Sequence, residues 1–192
     1  MAAAPLPPIR SVETLLCRLE AGETPKYLFF WGHTPADKSR VGKECFSQWY
    51  PVPFTVDGDT YPTAEHYMMA EKARLFGDET TRQAILKAAH PNDAKKLGRR
   101  IVPFEENRWL AARFEVVVRG NAAKFGQHPE LQKFLLGTGN RVLVEASPVD
   151  AIWGIGLAHD SPQAAHPETW CGLNLLGFAL MQVREKLSMP AG

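Results

Sequence analysis

Between Asn107 and Phe125 the apolar residues Trp109, Leu110, Phe114, Val117, Val118, Ala122 and Phe125 recur at the i, i+3, i+4 spacing of an amphipathic helix. A stripe of that length has to be covered by other elements, so this helix is expected to lie at the centre of whatever the chain folds into. The rest of the 192 residues can supply the cover, because 45% are apolar and 22% charged, close to globular averages. The length favours one domain with elaborations over two.

Covering elements are legible on both sides. Ser11 can cap a short helix with Val12, Leu15, Leu16 and Leu19 inward, after an Ala- and Pro-rich start expected to be disordered. Tyr27 to Trp31 reads as a buried strand, and Asp57-Gly58-Asp59 as the turn of a hairpin between Phe54-Thr55-Val56 and Thr60-Tyr61. Thr63 is a good N-cap for a helix over Ala64 to Phe76, closed by Gly77. Asp78 opens a second helix to about Ala89, and Pro91 a short basic third carrying Lys95, Lys96, Arg99 and Arg100. Pro129 to Leu136 reads as helix, Val142 to Val144 as strand and Leu175 to Leu187 as a closing helix. The pattern predicts an α+β fold, a single helix-rich domain with a few short strands over 26–188. Residues 1–25 form an N-terminal appendage, partly disordered, and 189–192 a tail.

The 22 basic and 21 acidic residues leave a net charge of +1, so no broad field advertises nucleic acid or an anionic membrane, whereas a small anionic ligand fits. Cys17, Cys45 and Cys171 are far apart and form no C-x-x-C pair, which suits a reducing, cytoplasmic setting. The six histidines show no H-x-x-x-H pairing, and no metal or other cofactor is expected. The opening lacks a signal-peptide pattern and no apolar run approaches a membrane span.

Chemistry-bearing residues fall in two places. Glu65 and Lys72 are seven apart on the predicted helix, about 20° short of two full turns, so they share one face with Met69 between them. An apolar wall there would raise the carboxyl pKa and lower that of the amine. The plainer alternative is a solvated helix surface, as for Glu71 and Arg74. The loop Ser147 to Gly156 puts Asp150, Trp153 and two glycines after a strand. Asp150 can orient a ribose hydroxyl or simply close a turn. Trp109 is equally a core residue or a stacking surface, and Arg108, Arg113 and Arg119 read as solvated charges. Leu157 to Trp170 is aperiodic and reads as a lid over a cleft or as a surface loop.

These pieces, in order and spacing, closely resemble the NADAR family of YbiA-like N-glycosidases over roughly residues 27–187. The motifs are Phe29-Phe30-Trp31-Gly32, Phe46-Ser47, Thr63-Ala64-Glu65-His66-Tyr67 with Lys72-Ala73, and Lys96-Leu97-Gly98-Arg99. Further along come Trp109, Lys124-Phe125, Val144-Glu145-Ala146, Asp150 with Trp153-Gly154, and Gly172-Leu173-Asn174-Leu175-Leu176-Gly177. Two positions depart from the family pattern: Gln48 and Val149 stand where it often has Asn, and substrate contacts are expected to differ there.

The resemblance implies hydrolysis of the N-glycosidic bond of phosphoribosyl or ADP-ribosyl compounds, with Glu65, Lys72 and Asp150 catalytic. Substrate-binding positions are expected at Trp109, Trp153, Gly154, Phe30, Ser47, Gln48, Tyr67 and Asn174. Because ribosyl C–N cleavage builds positive charge at the anomeric carbon, Glu65 is expected to handle protons as general acid or base and Asp150 to hold the ribose and steady that charge, and the resemblance implies Lys72 as a Schiff-base nucleophile. The expected partner is a small anionic substrate: a ribosylamino-pyrimidine phosphate of riboflavin synthesis, or ADP-ribosylated guanine, alone or in a short nucleic acid. A non-catalytic sensor of ADP-ribose or NAD-derived ligands is the alternative.

Overall fold

The computed structural model describes residues 6–35, 37 and 39–189. In chain order it places α1 (Val12–Glu20), β1 (Tyr27–Phe30), β2 (Phe54–Val56), β3 (Asp59–Tyr61) and α2 (Ala64–Phe76). There follow α3 (Glu79–Leu86), α4 (Pro91–Gly98), α5 (Glu106–Gln127), α6 (Pro129–Leu136), β4 (Val142–Glu145) and α7 (Leu175–Ser188). The fold is α+β and helix-rich.

Two small sheets carry the strands. β1 pairs with β4 in parallel, Tyr27 opposite Val142 and Phe30 opposite Glu145, so the intervening chain forms one long crossover. β2 and β3 form the expected antiparallel hairpin. Its turn is tighter than the sequence suggests: Asp57 (φ 52°) and Gly58 (φ 88°) alone make the bend, while Asp59 already pairs in β3.

α2 and α5 are the two inner helices. α2 starts where Thr63 accepts from the His66 N–H and stops where Gly77 adopts φ 74°. Ala64, Tyr67, Met68, Ala70, Ala73 and Phe76 are all buried, so α2 is covered on most sides by α3, α4 and α5. α5 lies centrally as its stripe requires, packing on α2 and α7 through Val117, Val118 and Phe125. Two details differ from the stripe. Leu110 is exposed near the helix start, and the contact with α2 is made at Gly120, where a Cβ would sit 2.4 Å from the Tyr67 ring. α7 covers β4, with Leu176, Phe178, Leu180 and Val183 buried.

Outside this core two expectations change. α1 is capped by Ser11 as expected, but Leu15 is fully buried and the helix packs on the Pro167–Thr169 turn, so it is joined to the body rather than appended. The disorder expected at the start falls partly on residues 1–5, and the tail mostly on 190–192, outside the described residues. The 157–170 segment is no lid. It folds into two short 3-10 turns, with Trp170 Nε1 donating to Ala164 O and its ring 6.4 Å from that of Tyr27, on the α1 side of the molecule. Among the described residues no helix is long and apolar enough to cross a membrane.

Candidate active site

A cleft of about 860 Å³ opens between α2, α4, the start of α5 and the loops that follow β1 and β4. Its floor begins with α2, whose first turn is tied to the neighbouring loop by the Glu65 N–H, which donates to Gln48 O at 2.9 Å. That loop is held from below by Lys124, fully buried on α5, whose Nζ donates to Cys45 O (2.7 Å) and Ser47 O (2.9 Å). Gln48 is fixed too, its Oε1 accepting from Asn121 Nδ2. Ser47, Gln48 and Trp49 are thereby presented to the cleft on a rigid backbone.

Glu65 is only 3% exposed, and its Oε1 has no hydrogen-bond partner. Burial pushes its carboxyl up to about 7, against the opposing pull of Lys95, the Trp49 side chain and Arg99 and with a further push from Asp150. Two turns along the same face, Lys72 Nζ donates to Gly98 O at 2.8 Å and lies 4.4 Å from the Phe104 ring centre and 5.7 Å from that of Trp109. Desolvation in this aromatic box lowers the amine's pKa. Met69 lines the cleft between them. The seven-residue spacing therefore brings acid and amine onto one wall, and the solvated-surface alternative fails for both.

Asp150 enters from the opposite rim. Its Oδ1 accepts from the Ile152 and Trp153 N–H groups at 2.9 and 2.8 Å, so it closes a turn and also faces the cleft. The turn aims Trp153 inward. With Trp31, Trp49 and Trp109 it makes four of the chain's five tryptophans cleft residues, flat surfaces on which a sugar or base can lie. Lys95 on α4 and Arg99 just past its end supply cationic groups for an anion; Lys96 and Arg100 lie off the cleft.

Four expected substrate contacts are not on the cleft wall. Phe30 is buried against Phe46, ring centres 5.3 Å apart, because β1 turns it into the core. Tyr67 points to the far side of α2, where its ring packs on Phe54 and Tyr61. Asn174 is fully buried: its Oδ1 accepts from the Glu145 N–H and its Nδ2 donates to Leu143 O, so it fastens the end of β4. Gly154 serves packing, since a Cβ there would lie 2.8 Å from Glu145 O. His66 is likewise structural; its Nδ1 accepts from the Thr63 hydroxyl and its Nε2 donates to Ala88 O.

Sequence reasoning gave no role to Glu145, Trp49, Trp31 or His33, all of which line the cleft. Glu145 carried two available signals, a carboxyl ending an otherwise apolar strand and its place in the Val144-Glu145-Ala146 motif. A separate opening of about 660 Å³ beside α6 is bordered by Leu28, Val41, Phe134, Lys133 and Arg141 and contains none of the acid–amine set. Glu65, Lys72 and Asp150 all line the α2 cleft instead.

Fold and cleft together define a helix-rich α+β domain whose main cleft is walled by carboxyls, an amine and indoles. The chain belongs to the NADAR family: the family model described as "NADAR domain" matches residues 29–188. It is 45% identical over 169 residues to the "N-glycosidase R617" of Acanthamoeba polyphaga mimivirus, covering 85% of this chain and 98% of that protein. It is 39% identical over 145 residues to the "N-glycosidase YbiA" of Escherichia coli strain K12, covering 75% and 81%. The NMR structure of the E. coli protein YbiA superposes with a TM-score of 0.66 at 34% identity, covering 86% of this chain and 87% of that one.

Proposed function

We propose that this chain is an N-glycosidase that hydrolyses the C–N bond between a ribose and its base in a small anionic phosphoribosyl or ADP-ribosyl substrate. The observation that carries the reading is the meeting of Glu65, Lys72 and Asp150, distant in sequence, on one indole-walled cleft. Relatives named N-glycosidases share most of the chain's length. The presence of only Lys95 and Arg99 of the four basic residues on and just after α4 suits a phosphate group better than a nucleic-acid strand, which needs an extended basic track.

Breaking a ribosyl C–N bond builds positive charge at C1, so negative charge beside the sugar lowers the barrier. Asp150 supplies it in this reading and holds the ribose hydroxyls. Lys72, made a better nucleophile by its aromatic box, attacks C1 as the bond electrons leave on the base nitrogen. The amine's displaced proton passes to Glu65. Opening of the ribose ring gives a Schiff base, and water releases the sugar and restores the amine.

The test is incubation with a ribosylamino-pyrimidine phosphate and with ADP-ribosylated guanosine, with mass detection of released base. Release from either supports the reading and identifies the substrate class; tight binding with no release from either favours a sensor instead. Lys72→Arg retaining full turnover, with no borohydride-trappable adduct in the wild type, removes the covalent step.

A further inference from the structure

We propose that Glu145 is a third catalytic carboxyl, the acid that protonates the departing base nitrogen while Glu65 acts as the acceptor on the sugar side. The inference rests on the N-glycosidase reading and divides the proton work within it.

Glu145 lines the same cleft, at the point where β4 ends. Its backbone is locked on both sides: the N–H donates to Asn174 Oδ1 at 2.9 Å, and the carbonyl accepts from the Ile155 N–H at 2.9 Å. Asn174 itself stands at φ 51°, buried, with its other amide atom bound to Leu143 O. A backbone held this firmly fixes the point from which the side chain enters the cleft. Its Oε2 is sealed from solvent and has no hydrogen-bond partner. An unpaired buried carboxyl oxygen costs stability unless the group stays neutral or a ligand pairs with it.

The charges around it separate its role from that of Glu65. Facing Glu145 are Glu65 from α2, Asp150 from the loop after β4 and Lys95 from α4. Lys72, Arg99 and His33 complete the ionisable wall of the cleft. Glu145 has two like charges against one opposite one, whereas Glu65, also opposed by Asp150, has Lys95, Arg99 and Trp49 favouring its charged form. Burial and these neighbours push Glu145 up to about 8. Two carboxyls of one cleft with surroundings that differ in this way are the arrangement that assigns acid and base.

The step balances. The C1–N electron pair moves onto the base nitrogen and takes the Glu145 proton. The proton displaced from the attacking amine goes to Glu65, and water later supplies the hydroxyl at C1.

The test is the pH dependence of turnover of a ribosylamino-pyrimidine phosphate by wild type and Glu145→Gln. Gln keeps the shape of the side chain but has no proton to transfer. The wild-type kcat is expected to fall above about pH 8. In Glu145→Gln, kcat is expected to drop on the order of a hundredfold with KM changed less than about threefold, and the alkaline limb to vanish. A Glu145→Gln kcat within threefold of wild type, or an unchanged alkaline limb, overturns the acid role while leaving the N-glycosidase reading intact. No turnover by wild type on any ribosyl substrate overturns that reading and the acid role with it. If Glu145→Gln does not fold, the carboxyl-carbon NMR titration of wild-type Glu145 decides: a midpoint near 8 supports the proposal and one below about 6 refutes it.

Discussion

Replacing Glu65 by Gln should make the protein more stable at alkaline pH while silencing it. The folded chain raises this carboxyl from 4.5 to about 7, chiefly because the first turn of α2 is shut away from water. A raised carboxyl pKa means that the folded state binds the proton more tightly than the unfolded one. The contribution is therefore full below pH 4.5 and is lost as pH climbs through 7. At about 1.4 kcal/mol per pKa unit the loss amounts to about 3 kcal/mol once the pH is well above 7. Gln carries no charge in either state, so Glu65→Gln escapes this loss. Urea unfolding at pH 4.5 and pH 8.5 should show the variant's advantage growing by about 3 kcal/mol between the two, equivalent to about 6–12 °C in Tm for a chain of this length. The same variant should lose turnover by on the order of 10² or more. A stability difference that is flat with pH, or that favours wild type at pH 8.5, would refute the claim that Glu65 is held in a desolvated site at a cost to the fold.

Two further outcomes follow from the supports beneath the cleft. Lys124→Met leaves the Cys45 and Ser47 carbonyls unpaired and should destabilise by about 2–4 kcal/mol near pH 10. Because burial pushes Lys124 down to about 7, that loss should shrink as pH falls from 10 to 7, the opposite trend to Glu65, as read by urea unfolding across that range. Gly177→Ala would set a Cβ 2.1 Å from Leu143 O and 2.6 Å from the Asn174 amide, loosening the clamp on β4. It should cost about 3 kcal/mol or more by chemical denaturation, and a cost below 1 kcal/mol would show that α7 shifts freely there.

The cleft was partly legible in the sequence, for reasons that differ residue by residue. Glu65 and Lys72 were readable because helix geometry turns a spacing of seven into a shared face, and the Thr63 cap and Gly77 stop fix where that helix lies. Asp150 was readable as a loop acid, yet only the structure shows it closing a turn and facing the cleft at once. Phe30, Tyr67 and Asn174 sit in or beside motifs with site residues, and adjacency misled: neighbours on a strand or helix point different ways, here into the core. The 157–170 loop has the composition of a lid, but composition does not say which surface a loop lies on.

By itself the sequence determined the elements, their approximate ends and the α+β class, because periodicity, caps and turn residues act over a few neighbouring positions. Tertiary structure alone decided which side chains meet across the crossover. It set Glu145 from β4 beside Glu65 from α2 and Lys95 from α4, and it stripped water from the carboxyls it gathered. Desolvation and charge–charge coupling are properties of the space between elements, and no local spacing along the chain records them.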